Sequence, residues 1–519
     1  MVQQRYIWIF PTLLHRWLWK DLARDLEKKL GLRPLFIIAD EQDRQFWERQ
    51  FDEPLDAEIA VHFDYLSYAL DASEKSVVDY EALCRAANFE KTHGITLMRD
   101  MVLGCRHIGR AYILGGQGHP ASKVSKMISR QGAVHTCMAI TDDFEKMAEN
   151  YPPGLMLVGG GGGGVYMKSA CLIARQNGIP FRSLVHARFA DYYLWADSEF
   201  EESECFRQFH TSQPAPKKFD IDYVHKHLTP TGLSVVGFAQ IRAGTDWIKI
   251  MRRIVIILLR NIYGRLRGYR KSRVGPSSIE TARMIIRQRL DRIKLKKLAT
   301  IKINDIPAAE KVIYFPLQTE PEHSLNVLSP EHSNQLATAV ELALSLPADA
   351  ILAVKEHPYQ IGRRTKGTYE TLAALPNVAF IDIDESSIEL IKRADLVAVI
   401  SSSAGYEAAA LGKPVLHFGR HGQALDLPHV YGMKGFSDLT HIPEIIANNT
   451  EEAKQIQRRD GARYYLAIEK YCLDMSSFDA HGRTARPTPE EISEISASLL
   501  KTLSSSLFDI SETRTQVKK

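Results

Sequence analysis

Short apolar runs alternate with segments whose apolar positions recur at helical spacing, most regularly in the second half of the chain. Val312–Phe315, Ala350–Val354 and Leu396–Ile400 are predicted strands, because each is a short continuous apolar run. A helix is predicted from Ser329-Pro330 to Leu346, since a cap residue precedes a proline at its start. Strands separated by helices in this way are typical of a doubly wound parallel sheet.

The first part of the chain shows the same alternation. Its predicted strands are Tyr6–Phe10, Leu35–Ala39, Leu155–Val158 and Phe181–Val185, and its predicted helices are Leu13–Leu30, Ser76–Glu90 and Tyr166–Gln176. We therefore expect two Rossmann-like α/β domains, residues 1–210 and 305–440. Residues 211–304 are predicted to form a linker, and residues 441–519 C-terminal helices with a loose tail from Ser504.

The composition is that of a globular protein too long for one hydrophobic core, with 519 residues, 45% of them apolar and 25% charged. The formal net charge of +4 indicates no nucleic-acid partner. The six cysteines include no Cys-x-x-Cys pair, which argues against a structural zinc site and fits a reducing compartment. Neither a signal peptide nor a membrane-spanning segment is recognisable, so we expect a cytoplasmic protein.

Positive charge is concentrated in residues 242–297, which hold seventeen Lys or Arg and three Asp or Glu. Within this block, Trp247–Arg260 alternates apolar and basic residues too densely for a membrane span. The pattern suits an amphipathic helix that lies on an anionic inner-membrane surface. It equally suits a helix that packs on the protein with a solvated basic side.

A charged motif, Lys355-Glu356-His357-Pro358, follows the second predicted strand of the later domain. Pro358 disfavours helix at His357, whose imidazole can donate to a phosphate oxygen or protonate a leaving phosphate. Lys355 and the arginines Arg363 and Arg364 favour a site for a charged ligand. The alternative is a loop histidine that bonds only to backbone.

Three serines, Ser401, Ser402 and Ser403, follow the next strand and open a helix. Hydroxyls beside free N–H groups of a first helical turn can hold an anion, with Gly405 allowing close approach of a ligand. Plain helix capping is the alternative. Glu407, one turn later, is a candidate for ribose hydroxyls.

The polar loop after Val312–Phe315 contains Gln318, a candidate for binding the ligand. Glu320, Glu322 and His323 in the same loop are candidates for a general base or for sugar contacts. A solvated acidic loop explains these residues equally well. Asp-x-Asp pairs are common in loops, so we assign no metal to those at 220/222 and 382/384.

Six consecutive glycines, residues 159–164, stand between a predicted strand and a helix. Gly160 and Gly161 are candidates for backbone contact with a ligand at the helix start. The run fits neither a phosphate-binding P-loop nor a dinucleotide fingerprint, and a flexible hinge is the alternative. Arg188 and Asp191, beyond the next strand, are expected to face the same ligand-binding cleft as the glycine run.

The later motifs resemble those of bacterial capsule and surface polysaccharide biosynthesis proteins, over roughly residues 310–430. They are Tyr314-Phe315-Pro316-Leu317-Gln318 with Glu320-Pro321-Glu322, Lys355-Glu356-His357-Pro358, Ser401-Ser402-Ser403-Ala404-Gly405-Tyr406-Glu407, and Gly412-Lys413-Pro414-Val415. The chain looks like a GT-B glycosyltransferase related to capsular Kdo transferases, and its His-Pro and Ser-Ser elements are similar to those of bacterial sialyltransferases. The resemblance implies two Rossmann-like domains that face a central cleft.

The resemblance also implies a nucleotide-sugar donor, such as CMP-Kdo, a glycan or lipid-linked acceptor, no cofactor and metal-independent transfer. His357 would contact the phosphate and assist its departure, the three serines would bind phosphate, and Glu407 would bind ribose. The acidic motif of sialyltransferases has no secure match, and Asp100 is the candidate for its role.

Three other functions are compatible with the same motifs. The first is a CDP-glycerol-type poly(glycerol phosphate) transferase, and the second is a nucleotide-sugar epimerase on the same fold. The third is a non-catalytic factor of capsule assembly or export that keeps the fold as a binding module.

Overall fold

A computed structural model describes residues 4–12, 15–38, 41–49, 58–61, 64–75, 79–105, 108, 127–160, 163–228, 247–266, 278–320, 322–477 and 486–516. Its strands are β1 (Tyr6–Phe10), β2 (Arg33–Ile38), β3 (Glu58–Val61), β4 (Pro153–Gly159), β5 (Phe181–His186), β6 (Tyr192–Ala196), β7 (Lys311–Pro316), β8 (Ala350–Lys355), β9 (Val378–Phe380), β10 (Leu396–Val399), β11 (Val415–His417), β12 (Val430–Gly432) and β13 (Leu473–Asp474).

The strands form two separate sheets within the described residues. The first has the order β13-β6-β5-β4-β1-β2-β3 and is parallel except at β6, which runs antiparallel to both β5 and β13. The second has the order β12-β11-β10-β7-β8-β9, and its strands are all parallel. The predicted fold class, two Rossmann-like α/β units of the GT-B type, is confirmed.

Helices cover the sheets and connect the strands. The α-helices span Leu18–Leu30, Glu41–Glu48, Tyr65–Glu74, Tyr80–His93, Arg130–Asn150, Gly164–Gln176, Glu204–Ser212, Lys218–His227, Trp247–Leu266, Ser278–Leu298, His323–Asn326, Gln335–Leu344, Thr368–Ala374, Ser387–Arg393, Ser403–Ala410, Ile442–Ala447, Glu451–Tyr471 and Pro489–Gln516. Within the described ranges, no helix combines the length and apolar character needed to cross a bilayer.

Two predictions of helix ends are wrong. The helix predicted from Ser329 begins at Gln335, because Asn334 caps it by accepting from the N–H of Ala337 at 3.4 Å, and Pro330–His332 forms a separate 3₁₀ turn. The tail that was expected to be loose from Ser504 is helical as far as Gln516.

The C-terminal segment returns to the first sheet. β13 pairs with the edge of β6, and the last helix packs against Leu18–Leu30. The preceding helix, Glu451–Tyr471, packs against Ser403–Ala410 of the second unit. This segment therefore contacts both units.

The second sheet has its topological switch point between β7 and β10, where the strand order reverses. Its central strands are buried on both faces, as expected for a parallel sheet covered by helices. The loops that leave β7 and β10 open at the same carboxyl edge, which is the usual place for a ligand in such sheets. The glycine run leaves β4 at the equivalent point of the first sheet, between β1 and β4.

A buried ion-pair cluster joins the loops that leave β7 and β8. The Arg364 guanidinium donates twice to the Glu356 carboxylate at 2.8 Å and once to Glu320 at 2.6 Å. It also donates to the backbone carbonyl of Gln318 at 2.7 Å. Glu356 in turn accepts from the backbone N–H of His357 at 2.6 Å, so the cluster fixes the backbone of the motif that carries this histidine.

Replacement of Arg364 by methionine should destabilise the protein by about 3–5 kcal/mol, because two buried carboxylates lose their counter-charge. Urea unfolding followed by far-UV circular dichroism measures the change. Lys366→Met is the matched control, since Lys366 is exposed two residues away. Equal stabilities of the two variants would contradict this role for Arg364.

Candidate active site

A cleft of about 660 Å³ opens between the two units at the carboxyl edge of the second sheet. Residues from both units line it: His186, Arg188, Arg292, Tyr314, Pro316, Leu317, Gln318, Thr319, Glu322, Ser324, Lys355, His357, Pro358, Tyr359, Ile383, Asp384, Glu385, Ser386, Ser387, Ile388, Ser401, Ser402, Ser403, Ala404 and Glu407. The imidazole predicted from β8 and the serines predicted after β10 therefore meet in one cleft. Its volume lies in the range of small-molecule sites.

The hydrogen bonds of His357 define its tautomer. Its Nδ1 accepts from the backbone N–H of Tyr359 at 3.3 Å, and a backbone N–H can only donate. The Thr319 hydroxyl lies 3.1 Å from the same nitrogen and completes this side of the ring. The proton of the neutral imidazole is therefore on Nε2, which can donate to a ligand oxygen.

Burial lowers the pKa of His357 to about 4. Glu356 opposes this shift, whereas the positive charges of Arg364 and Lys355 add to it. The imidazole is thus neutral near pH 7 before a ligand binds, so it donates one hydrogen bond and carries no charge. An anion beside it would raise the pKa again.

The three serines have different roles in the structure. The Ser401 hydroxyl donates to the carbonyl of Ser324 and accepts from Gln318 Nε2 at 3.3 Å, and the Ser401 N–H donates to Gln318 Oε1 at 3.1 Å. Ser401 thereby joins the loops after β7 and β10. Ser402 is the N-cap of helix Ser403–Ala410, and its hydroxyl accepts from the N–H of Ala404 at 3.3 Å. Ser402 and Ser403 present the first helical turn to the cleft.

Glu407 and Gly405 lie in the same helix but differ in what they contact. Burial raises the pKa of Glu407 to about 7, and a hydrogen bond from the Ser403 hydroxyl opposes the rise. The carboxyl group can therefore donate or accept a hydrogen bond near neutral pH. A Cβ at Gly405 would lie 2.5 Å from Cγ2 of Val399, so glycine is needed there for packing of the helix on β10.

Lys355 lines the cleft from the end of β8, with its Nζ 3.5 Å from the Ser387 hydroxyl. Pro358 lines it too and begins the 3₁₀ turn Pro358–Gln360. Arg363 does not line it, and its backbone N–H donates to Gln360. Of the two arginines predicted to favour a charged ligand, Arg364 binds carboxylates of the protein itself.

Among the predicted catalytic carboxylates, Glu322 lines the cleft. Glu320 is bound by Arg364 and accepts from Gln335 Nε2 at 2.5 Å, outside the lining. The Asp100 carboxylate pairs with Arg99 at 3.1 Å and accepts from the backbone N–H of Thr96 at 2.7 Å. Asp100 does not line the cleft that contains His357.

Of the described glycines in the run, Gly163 packs against the second unit, and none lines the cleft. A Cβ at Gly163 would lie 3.1 Å from Nδ1 of His323 and 3.2 Å from Cγ2 of Val327. Gly160 donates its N–H to the carbonyl of Leu184 at 2.9 Å, and Gly161 lies outside the described residues. At Gly163, the absence of a side chain lets the two units approach each other.

The first unit contributes Arg188 and His186 to the cleft. Arg188 has a φ of 71°, a strained conformation for a residue with a side chain. His186 supports this conformation, since its Nδ1 accepts from the Arg188 N–H at 2.9 Å and its Nε2 lies 2.9 Å from the carbonyl of Ala190. Glu201 binds the Arg188 guanidinium. Asp191, predicted to face the cleft with Arg188, does not line it.

Several lining residues were not identified from the sequence. Arg292 enters from helix Ser278–Leu298, and Ser386 and Ser387 enter from the loop after β9. The sequence carries a signal for Ser386, because a serine just before a helical segment is a typical N-cap, and Ser386 caps helix Ser387–Arg393. Arg292 gave no such signal, since it is one of many basic residues in its block.

Residues 253–468 match the protein-family model described as capsule polysaccharide biosynthesis protein. No curated protein matches the chain. Two KpsC structures from Thermosulfurimonas dismutans are similar. The beta Kdo 2,7 transferase is 16% identical, with 57% of this chain covering 74% of that one at a TM-score of 0.27. The beta Kdo 2,4 transferase is 14% identical, and the match covers 59% of this chain and 79% of that one at a TM-score of 0.30.

UDP-GlcNAc 2-epimerase from Neisseria meningitidis is 11% identical, with 90% of this chain covering 99% of that one at a TM-score of 0.25. Likenesses this distant say nothing about the ligand or the reaction. The family match includes β7 to β12 and every lining residue of the second unit. The resemblance to capsule polysaccharide biosynthesis proteins is confirmed over residues 253–468.

Proposed function

We propose that the chain is a glycosyltransferase of capsular or surface polysaccharide synthesis. It transfers a sugar from a nucleotide-sugar donor, in this proposal a CMP-activated sugar such as CMP-Kdo, to a glycan or lipid-linked acceptor. The observation that supports this most is the meeting of His357 and the first turn of helix Ser403–Ala410 in one cleft. The donor binds to the second unit, residues 305–440, and the acceptor approaches from the first, residues 1–210.

The cleft offers several hydrogen-bond donors to a phosphate group. His357 donates through Nε2, and the N-terminus of helix Ser403–Ala410 adds N–H groups and its positive dipole end. Lys355 of the second unit and Arg188 of the first also line the cleft, and both side chains carry positive charge. In this proposal these groups stabilise the negative charge that develops on the departing nucleotide, and the transfer needs no metal ion.

Glu322 is our candidate for the general base, because it lines the cleft and lies close enough to Arg188 to affect its pKa. The carboxylate takes a proton from an acceptor hydroxyl as the oxygen attacks the anomeric carbon. The bond from that carbon to the phosphate oxygen breaks, and the nucleotide leaves with the electron pair. In this proposal, Glu407 binds ribose hydroxyls.

The proposed setting is the cytoplasm, at the inner face of the inner membrane, where lipid-linked acceptors lie. The basic block that includes helix Trp247–Leu266 is the proposed contact with the anionic membrane surface. Gly160 and Gly161 are not used in this proposal, because Gly160 does not line the cleft and Gly161 lies outside the described residues.

Cytidine nucleotides should raise the melting temperature of the chain more than uridine or guanosine nucleotides do. A ligand at a hundredfold excess over its Kd stabilises a protein by about 2.7 kcal/mol, so the shift is readily measured by differential scanning fluorimetry. Selective stabilisation by uridine diphosphate sugars would contradict the cytidine donor and favour the epimerase alternative. Stabilisation by CDP-glycerol above the other cytidine nucleotides would favour the poly(glycerol phosphate) transferase.

His357→Ala should reduce the kcat of sugar transfer by about 10²–10³-fold, because the departing phosphate loses a hydrogen-bond donor. Transfer from the donor that the nucleotide panel selects is measured by release of the free nucleotide. His441→Ala, at an exposed histidine outside the cleft, is the control and should keep wild-type activity. Nucleotide binding without turnover on any acceptor would instead support the non-catalytic binding module.

The affinity for cytidine 5′-monophosphate should depend on pH through His357. The pKa of this residue is about 4 in the free protein, and a bound phosphate raises it, so binding takes up a proton between the two values. The wild-type affinity relative to that of His357→Gln should therefore increase as the pH falls from about 7 towards 5.

The increase is at most about tenfold per pH unit for one proton. Glutamine keeps an N–H donor but does not titrate, and the ratio cancels the ionisation of the nucleotide itself. Isothermal titration calorimetry at several pH values gives the ratio. A ratio that stays constant over this range would contradict contact between His357 and the phosphate.

A further inference from the structure

Helix Trp247–Leu266 exposes a continuous row of large apolar side chains. The row, called here the apolar stripe, consists of Ile248, Met251, Val255, Leu259, Ile262 and Leu266. At 3.6 residues per turn, their spacing of three or four residues places them on roughly a third of the helix circumference. Each of the six side chains is between 48% and 82% exposed, which is unusual for apolar residues that share one face.

The other two sides of this helix have different neighbours. Ile250 and Ile254 are buried against Ile285 of helix Ser278–Leu298, so the two helices form a hairpin with a small core of its own. Exposed arginines occupy the third side, and the helix contains no acidic residue. The stripe is therefore not needed to hold the hairpin together.

We propose that the apolar stripe inserts into the interfacial region of an anionic phospholipid bilayer. Apolar side chains enter the acyl boundary while Arg252, Arg253 and Arg260 meet the anionic headgroups beside it. The binding has a hydrophobic part that persists in salt and an electrostatic part that salt weakens. This inference rests on the membrane contact in the proposed function and identifies the side chains that make it, independently of the donor chemistry.

Charge decides between a bilayer and a second copy of the chain. Two stripes packed on each other would bring two sets of arginines together with no acidic residue in the helix to pair with them. An anionic bilayer supplies the missing negative charge over a broad surface. The observed combination of apolar and basic sides thus favours lipid as the occupant.

The hairpin is attached at the rim of the donor cleft. Arg287, on the second helix of the hairpin, donates to the backbone carbonyl of Arg364 at 2.7 Å. Gly362 allows the same helix to approach closely, because a Cβ there would lie 2.6 Å from Cα of Gln288. Arg292 of that helix lines the cleft itself. A stripe seated in a bilayer would therefore hold the cleft next to the membrane surface.

Vesicle co-sedimentation of the full chain tests the inference. The vesicles are phosphatidylcholine alone and an equal mixture of phosphatidylcholine and phosphatidylglycerol, each at low and high salt. The combined variant Met251→Gln, Leu259→Gln, Ile262→Gln should bind the mixed vesicles at least about tenfold more weakly than wild type at both salt concentrations. The variant Arg252→Gln, Arg253→Gln, Arg260→Gln should lose binding mainly at low salt.

Leu344→Gln is the control, because Leu344 is an exposed leucine on a helix outside the hairpin, and it should bind as wild type does. Unchanged thermal melts by circular dichroism show that the variants fold, and unchanged nucleotide-induced shifts separate this test from that of the donor site. Wild-type vesicle binding by the stripe variant would overturn the inference. So would a wild-type dimer in analytical ultracentrifugation that the stripe variant abolishes.

Discussion

The guanidinium of Arg364 is the contact on which the geometry of the cleft depends. It binds Glu356, Glu320 and the backbone of Gln318, and so connects the loop after β7 to the loop after β8. A planar guanidinium can make these bonds simultaneously, whereas a lysine ammonium cannot reproduce the paired geometry. Because Glu356 also accepts from the backbone N–H of His357, this buried cluster fixes the backbone that carries the imidazole.

The signature residues of the second unit divide into those that build the cleft and those that face it. Ser401 and Gly405 hold the loop and helix in place by hydrogen bonding and close packing. Ser402, Ser403 and His357 present donors to the cleft. A neutral imidazole and a helix N-terminus can bind a phosphate without burying an unpaired charge before the ligand arrives.

The parts of the fold that could be predicted from the sequence are those in which a short segment determines its own secondary structure. The buried strands β7, β8 and β10 appear as continuous apolar runs, and the two loops of the donor site follow directly from them. β3, β6, β12 and β13 were missed. β13 is only two residues long, and its pairing with β6 joins segments far apart in the chain.

Longer-range contacts explain the other errors at the site. Arg364 is 44 residues from Glu320, so the sequence could not show that this arginine binds a carboxylate of the protein. The glycine run looked like a ligand loop, yet Gly163 packs against His323 of the other unit. Each of these contacts is created by folding.

The most direct test of the account is a crystal structure of the chain with cytidine 5′-monophosphate bound. The account predicts a phosphate oxygen within about 2.7–3.2 Å of His357 Nε2, with the same phosphate at the first N–H groups of helix Ser403–Ala410. A phosphate bound elsewhere, with His357 and this helix end contacting only protein or water, would contradict it.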